Sequence, residues 1–298
     1  MSSHTDDHRW PHPFPDQPRP ARSRSTTGVL GLELRHIRLE QNLTLQKAHE
    51  LLRRSVSSIS RIEKGQVKLP ERDLPPILDA YGITDPTRRK ALQALTRGPS
   101  AKDWWQSYRD VLTVYPTFIS MENEAEKIRA FENMFLPGLL QTPEYARAIY
   151  RAGQPDRPDF EIKRLTAVRV RRQQILDRAD PPDLHVIIAE GALRQLVGGR
   201  TTMKRQLEHL LTASSRPAVE VQVLPFSAGA HAAPGSFNLL SVPALRGDVV
   251  HIDQSAQRGF LDDSEAVRRY NLVFDMIRAS ALPATGSRTL IEHLSSEL

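Results

Sequence analysis

Apolar positions recur every three or four residues through the first third of the chain and then change rhythm. In residues 29–40, Leu30, Leu34 and Ile37 fall on one helical face, with Arg35 and Arg38 outside it. Residues 43–65, LTLQKAHELLRRSVSSISRIEKG, divide into two short helices joined by a tight turn. Leu43, Ala48, Leu52, Ile59 and Ile62 stand where two crossed helices bury side chains against each other. Thr44 and Ser55 are suited to cap the two helices, and Gly65 to stop the second in a left-handed conformation. Asn42, which tolerates positive φ, falls in the preceding turn. A fourth helix over residues 74–81 follows Asp73 as cap and stops at Gly82; a fifth starts at Asp85-Pro86 and stops at Gly98. Pro75, Pro76 and Pro86 sit in first turns, where amides lack intrahelical partners anyway. Five short helices so close together predict a compact bundle.

Beyond residue 103 the pattern is mixed. Trp104, Trp105 and Tyr108 form a dense aromatic cluster, read as core or inter-domain packing rather than a ligand cage. Residues 122–135 set Ala125, Ile128, Phe131 and Phe135 at helical spacing. Leu136-Pro-Gly-Leu-Leu-Gln-Thr-Pro143 interrupts them, and helices are predicted over 144–151 and over the Arg-rich 160–179. Arg169, Arg171 and Arg172 read there as a solvated face. Short apolar and β-branched runs at 184–189, 219–224, 237–242 and 249–253, separated by Gly and Pro, predict strands. A helix over 202–211 lies between the first two, and an amphipathic helix over 265–280 follows the last. The final strands are spaced for antiparallel pairing. The expected fold is therefore mainly α and α+β overall. An N-terminal five-helix helix-turn-helix domain precedes an α+β domain with a small, mostly antiparallel sheet. The expected boundaries are an arm at 1–27, the helical domain at 28–98, a linker at 99–103 and the α+β domain at 104–298.

Charge sharpens this division. Net charge is +6, and residues 1–100 hold 17 Lys/Arg against 11 Asp/Glu while residues 101–298 hold 24 of each. All the excess positive charge lies in the part that holds the helix-turn-helix, as expected of a DNA binder with a separate regulatory part. The Pro-rich arm cannot bury enough apolar surface to offset ordering entropy, and its Arg19, Arg22 and Arg24 read either as phosphate contacts or as an inert tail. There is no cysteine, which excludes disulfides, thiolate metal sites and a cysteine nucleophile. No apolar run approaches the roughly 18 residues of a membrane span, and the polar N-terminus has no secretory core, so a cytoplasmic location is expected.

A short second helix with small polar residues outside can enter a major groove. At these residues the chain resembles the Xre/Cro-like helix-turn-helix family. It is similar, more closely, to an actinobacterial antitoxin-like subgroup, the WhiJ-type regulators, which couple this module to a C-terminal domain. Two stretches carry the closer resemblance: residues 55–65, and the run from Trp104-Trp105 through Phe131-Glu132 to residues 137–147. Arg169-Val-Arg-Arg-Gln173 and residues 262–270, DDSEAVRRY, add to it. The resemblance implies a transcriptional regulator that binds double-stranded DNA and meets a small partner protein, encoded nearby, through its C-terminal domain; a single module of this size binds weakly, so a homodimer is expected. It also implies that the start of the recognition helix meets base edges, which assigns Val56, Ser57, Ser58 and Arg61. Arg61 would pair with guanine, or alternatively contact a phosphate or Glu63. Thr44 and Gln46 would touch the DNA backbone, and Lys64 and Lys68 would supply phosphate charge. Two positions depart from the family pattern. His49 stands where Ala or Gly is usual, and Arg53 where Gly takes positive φ, so an altered crossing angle or a longer turn is expected.

Two other function classes find less support in the sequence. An enzyme would need a catalytic motif, and the nucleophile-elbow, zinc-protease, Walker and dinucleotide signatures are absent from the sequence. His251-x-Asp253 with His231 is the one constellation of catalytic residue types, and it reads as structural. No catalytic residue, metal site or cofactor is expected, and His4, His8 and His12 stand among prolines that oppose a helix. A regulator whose C-terminal sheet encloses a small-molecule pocket remains the alternative to partner binding; a few hundred Å³ of apolar cavity with converging polar groups would favour it.

Overall fold

The structure is a computed structural model that describes residues 26–63, 67, 69–96, 104–108, 111, 116–243, 245, 247–254, 257–261 and 264–298. Residues 1–25 of the arm expected at 1–27, the linker at 99–103, Lys64, Gly65, Lys68, Gly98, Asp262 and Asp263 lie outside the described residues, while Thr26 and Thr27 open the first helix and not the arm. Five helices come first: α1 (Thr26–Glu40), α2 (Leu45–Leu52), α3 (Val56–Glu63), α4 (Leu74–Ala80) and α5 (Pro86–Thr96). They close around Leu30, Leu34, Ile37, Ala48, Ile59 and Ile62, as the spacing predicted, together with Leu74, Leu78 and Leu92, while the expected Leu43 and Leu52 are only partly buried. Burying a side chain of this size contributes about 1.5–3 kcal/mol of transfer free energy each.

Arg38 is a correction. Placed outside by periodicity, it is buried at 5% exposure and grips Glu63 with two guanidinium nitrogens, at 2.6 and 2.8 Å. The third nitrogen donates to the Leu43 carbonyl at 2.7 Å. Gly31 permits the close approach this clamp needs, because a Cβ there would lie 2.2 Å from the Ile62 carbonyl oxygen. Asp73 was expected to cap α4; it makes no cap hydrogen bond, and its carboxylate instead accepts from Arg54 at 2.8 Å.

The remainder builds a six-stranded sheet in the order β3-β2-β1-β4-β5-β6. Its strands are β1 (Lys127–Glu132), β2 (Asp183–Ala189), β3 (Val219–Leu224), β4 (Phe237–Ser241), β5 (Asp248–Gln254) and β6 (Gln257–Leu261). The helices of this half are α6 (Pro116–Glu124), α7 (Pro143–Gly153), α8 (Asp159–Arg172), α9 (Glu190–Arg194), α10 (Arg200–Ala213), α11 (Ser264–Ser280) and α12 (Ala284–Ser296). The sheet is larger than expected and mixed. β1 pairs with β2, and β2 with β3, in parallel, while β1–β4, β4–β5 and β5–β6 are antiparallel. Parallel neighbours need a crossover, supplied by α7–α8 between β1 and β2 and by α9–α10 between β2 and β3.

β1 also overturns the helix expected over 122–135. It sits between β2 and β4 with Ile128 and Ala130 facing one apolar layer and Phe131 the other. A strand covered on both faces loses its alternating pattern, which is how its spacing came to mimic a helix. The helix expected over 160–179 ends at Arg172, followed by a 3-10 segment, Gln173–Asp177. One layer packs the sheet against residues of α7, α10 and α12, including Tyr145, Leu207 and Ile291. The other packs it against Val273, Phe274 and Ile277 of α11. The aromatic cluster is core material: Trp104 and Tyr108 meet edge to face and pack with Val111, Ile119, Leu165 and Val168. α6 abuts α1, and Leu95 of α5 packs against both main apolar clusters. Among the described residues, no helix is long and apolar enough to cross a membrane.

Candidate nucleic-acid interface

The helix-turn-helix is fixed by its caps and its turn. The Thr44 hydroxyl accepts from the Lys47 amide at 3.2 Å, and the Ser55 hydroxyl from the Ser58 amide at 3.2 Å. Between them Arg53 takes φ 51°, ψ 36°, the left-handed conformation that favours glycine. The turn is therefore not lengthened; a non-glycine residue simply bears a conformation costing on the order of 1 kcal/mol. His49, the other departure, donates from Nδ1 to the Arg54 carbonyl at 2.8 Å and so ties α2 to the turn. Asn42 has φ 54°, as its place in the earlier turn required.

The described members of the assigned set sit at the start of α2 and along α3. Thr44 and Gln46 are exposed, as are Ser57 and Arg61, while Val56 and Ser58 are half-buried. Ile59, Ile62 and Glu63 face inward. Arg61 Nε lies 3.4 Å from the Ser57 carbonyl, along its own helix. Glu63, one alternative partner for Arg61, is instead bound to Arg38. Arg61 thus lies on the exposed face of α3, and Ser55 and Ser57 hydroxyls meet at 3.2 Å beside it. Lys64 and Lys68 lie outside the described residues.

Sequence reasoning missed the clamp behind this face. Arg38–Glu63 joins α1 to α3, so the outward face of α3 is set by a bidentate pair rather than by apolar contact alone. The motif at residues 55–65 contained Glu63, and its charge on an otherwise inward face was the available signal. Tyr81, packed beside the pair, is pushed up to about 12, by burial first and by the Glu63 charge second, with Arg38 opposing.

The C-terminal half carries a second candidate site, a partly open cavity of about 650 Å³. Its walls mix apolar side chains of α6, β1 and α8, among them Phe118, Ile128 and Val168, with polar ones such as Glu122, Gln141 and Arg169. Here the solvated arginine face expected on α8 proves wrong. Arg172 is buried and holds Glu122 with two nitrogens at 2.8 and 2.7 Å. Arg169 lies over the Tyr150 ring, donating to the Tyr150 hydroxyl at 3.0 Å and Gln141 Oε1 at 3.3 Å. Arg171 alone is exposed, and it stacks on Trp104. The loop at 136–142 forms one wall. Gln141 donates to the Leu136 carbonyl at 2.6 Å and Gln173 to the Gln141 carbonyl at 2.6 Å. The 136–142 loop and the Arg169–Gln173 segment, both part of the subgroup resemblance, therefore meet at one place. His251 stacks on Phe118 at 4.2 Å, whereas His231 meets Phe131, which belongs to the other apolar layer. The sheet separates the two histidines.

Capped short helices, a left-handed turn and an exposed face on the second of them define a helix-turn-helix DNA-binding regulator. Residues 29–92 match a family model described as a helix-turn-helix domain. Residues 115–293 match the model of a domain of unknown function, DUF5753, and the chain belongs to that family. No curated protein and no solved structure matches the chain.

Proposed function

We propose that this chain is a sequence-specific transcriptional regulator, antitoxin-like and of the actinobacterial WhiJ type, acting in the cytoplasm as a homodimer on a two-fold operator. The observation that carries the reading is the exposed Ser57–Arg61 face of α3, held in place by the buried Arg38–Glu63 clamp. Val56, Ser57, Ser58 and Arg61 read bases; Thr44, Gln46, Lys64 and Lys68 hold the backbone. One small module binds weakly, and two half-sites one helical turn apart supply the rest. In the primary reading the C-terminal domain meets a small partner protein. Genome-wide footprinting of the purified chain, with the promoter of its own operon included, tests the proposal. We expect selective protection at low salt that weakens steeply as salt rises, because neutralised phosphates release counterions. No selective protection at low salt would overturn it.

The cavity supports a second reading, a regulator that senses a small molecule. Its volume falls in the range of ligand sites, and both apolar and polar side chains line it. α6 gives Phe118, Ile119 and Glu122 to the wall and packs on α1, whose Arg38 holds α3. A ligand touching α6 thus stands two contacts away from the recognition helix.

A further inference from the structure

We infer that the outward face of α11 is a homodimer seam, on which two copies of this chain pair antiparallel about a two-fold axis at Leu272. The inference rests on the homodimer reading and names the surface that makes it. α11 buries Val273, Phe274 and Ile277 against the sheet. On its opposite face Arg268, Arg269, Leu272, Asp275 and Met276 are exposed and recur every three or four residues, so they form one stripe. Leu272 and Met276 stand one turn apart at 61% and 52% exposure, two large apolar side chains left in water.

Charge decides which partner this stripe fits. Both arginines precede Leu272, and the aspartate follows it. Arg268 and Asp275 are about 10 Å apart along the helix, two turns, too far to be neighbours within one copy. Arg278, on the flank, lies 3.5 Å from Asp275, but both side chains are more than half exposed, where such a pair contributes little. A two-fold axis beside Leu272 brings the opposite charges together. Arg268 of one copy, four residues before the axis, then faces Asp275 of the other, three residues after it, about 1.5 Å apart in level. Arg269 faces Met276 in the same way, its stem lying along the thioether chain. Leu272 meets its own copy at the centre. Each charged contact occurs twice, as an isologous interface requires. A parallel pairing would set like charge against like, and a partner of one charge sign would match only part of the stripe. A single helix seam lies at the low end of interface size, so the expected dissociation constant is on the order of micromolar. Two half-sites on one operator then add avidity.

The test is sedimentation equilibrium of the full chain without DNA, at about 1 to 100 μM, which brackets that affinity. We expect a monomer–dimer equilibrium. Leu272→Arg sets two cations against each other at the axis and should weaken the dimer by about a hundred-fold or more. Arg268→Asp and Asp275→Arg should each weaken it by about ten-fold, and the double variant, which exchanges the charges, should recover most of the wild-type association. Phe160→Arg, at an equally exposed apolar position on α8, should change nothing. A wild-type dimer that Leu272→Arg leaves intact would overturn the inference and keep the homodimer on another surface. Loss in both single charge variants without recovery in the double would overturn the antiparallel pairing about Leu272. A chain that stays monomeric throughout would overturn the inference, and one monomer bound per two-fold operator would end the homodimer reading as well. If Leu272→Arg fails to fold, the charge exchange still decides.

Discussion

Among the described residues, each half of the molecule holds a buried, bidentate Arg–Glu pair, and the two pairs do different work. Arg38–Glu63 joins two neighbouring helices of the DNA-binding unit, 25 residues apart in the chain. Glu122–Arg172 joins α6 to α8 across 50 residues, at the wall of a cavity. The first is buried beside Tyr81 and bonded also to the Leu43 carbonyl, so it acts as a latch that fixes one face of α3. The second is equally buried, but both of its residues line the cavity. A buried ion pair contributes little net stability compared with apolar residues of the same shape, but breaking it by removing one partner is costly. What distinguishes a structural pair from one near a site is therefore the neighbouring volume, not the pair itself.

Removing a carboxylate gives the largest effects. Glu63→Ala and Glu122→Ala each strand a buried guanidinium, and each should cost about 3–5 kcal/mol in chemical denaturation. The two should differ in function. Glu63→Ala should abolish operator binding under conditions where the C-terminal sheet remains folded, whereas Glu122→Ala should unfold the C-terminal sheet at lower denaturant and leave operator binding nearer to wild type. Equal losses of DNA binding would erase the contrast. Gly31→Ala comes next, because its Cβ would meet backbone at the α1–α3 crossing, and overpacking costs typically about 1–3 kcal/mol. Loss of DNA affinity together with that stability would place the latch at the crossing.

The buried tyrosines sharpen the same comparison. Tyr145 accepts a hydrogen bond from the buried Leu136 amide at 3.1 Å, so Tyr145→Phe strands that amide and should cost about 1–3 kcal/mol at neutral pH. Tyr81→Phe should cost little there and show itself in alkali. Its folded pKa of about 12 lies above the ordinary value of 10.0, so the stability it contributes is complete below pH 10 and is lost as pH rises from 10 to about 12. Urea melts across that range should fall less steeply for Tyr81→Phe than for wild type. The smallest effect expected is a gain. Arg53→Gly relieves the left-handed conformation at the end of α2 and should stabilise by about 0.5–1 kcal/mol, measured as a rise in thermal midpoint.

Legibility in the sequence also divided along this line. The N-terminal unit was readable because its contacts are local: caps at Thr44 and Ser55, the turn at Arg53 and the stripe Leu30–Leu34–Ile37 are all set by neighbours a few residues away. Arg38 was not, since its inward turn depends on Glu63, which periodicity within α1 does not contain. In the C-terminal half, four strands were visible as apolar runs, and so was the helix between β2 and β3 that forces them parallel. β1 was hidden by burial on both faces, and β6 (Gln257–Leu261) by its polar and glycine-containing sequence. The cavity was invisible as a cavity. Its loop and its arginines were both singled out as motifs, yet only the fold brings residues 136–142 against Arg169 and Arg172.

The reading of α3 is tested most directly by the base-pair specificity profile of Arg61→Ala, measured by titration against every single-base variant of a footprinted operator at fixed salt. We expect selectivity to relax at one base pair of each half-site, by about 1–3 kcal/mol, with the other positions unchanged. Lys68→Ala, as control, should weaken all sequences alike. An Arg61→Ala profile identical to wild type in affinity and selectivity would contradict the assignment of the exposed α3 face as the surface that reads DNA.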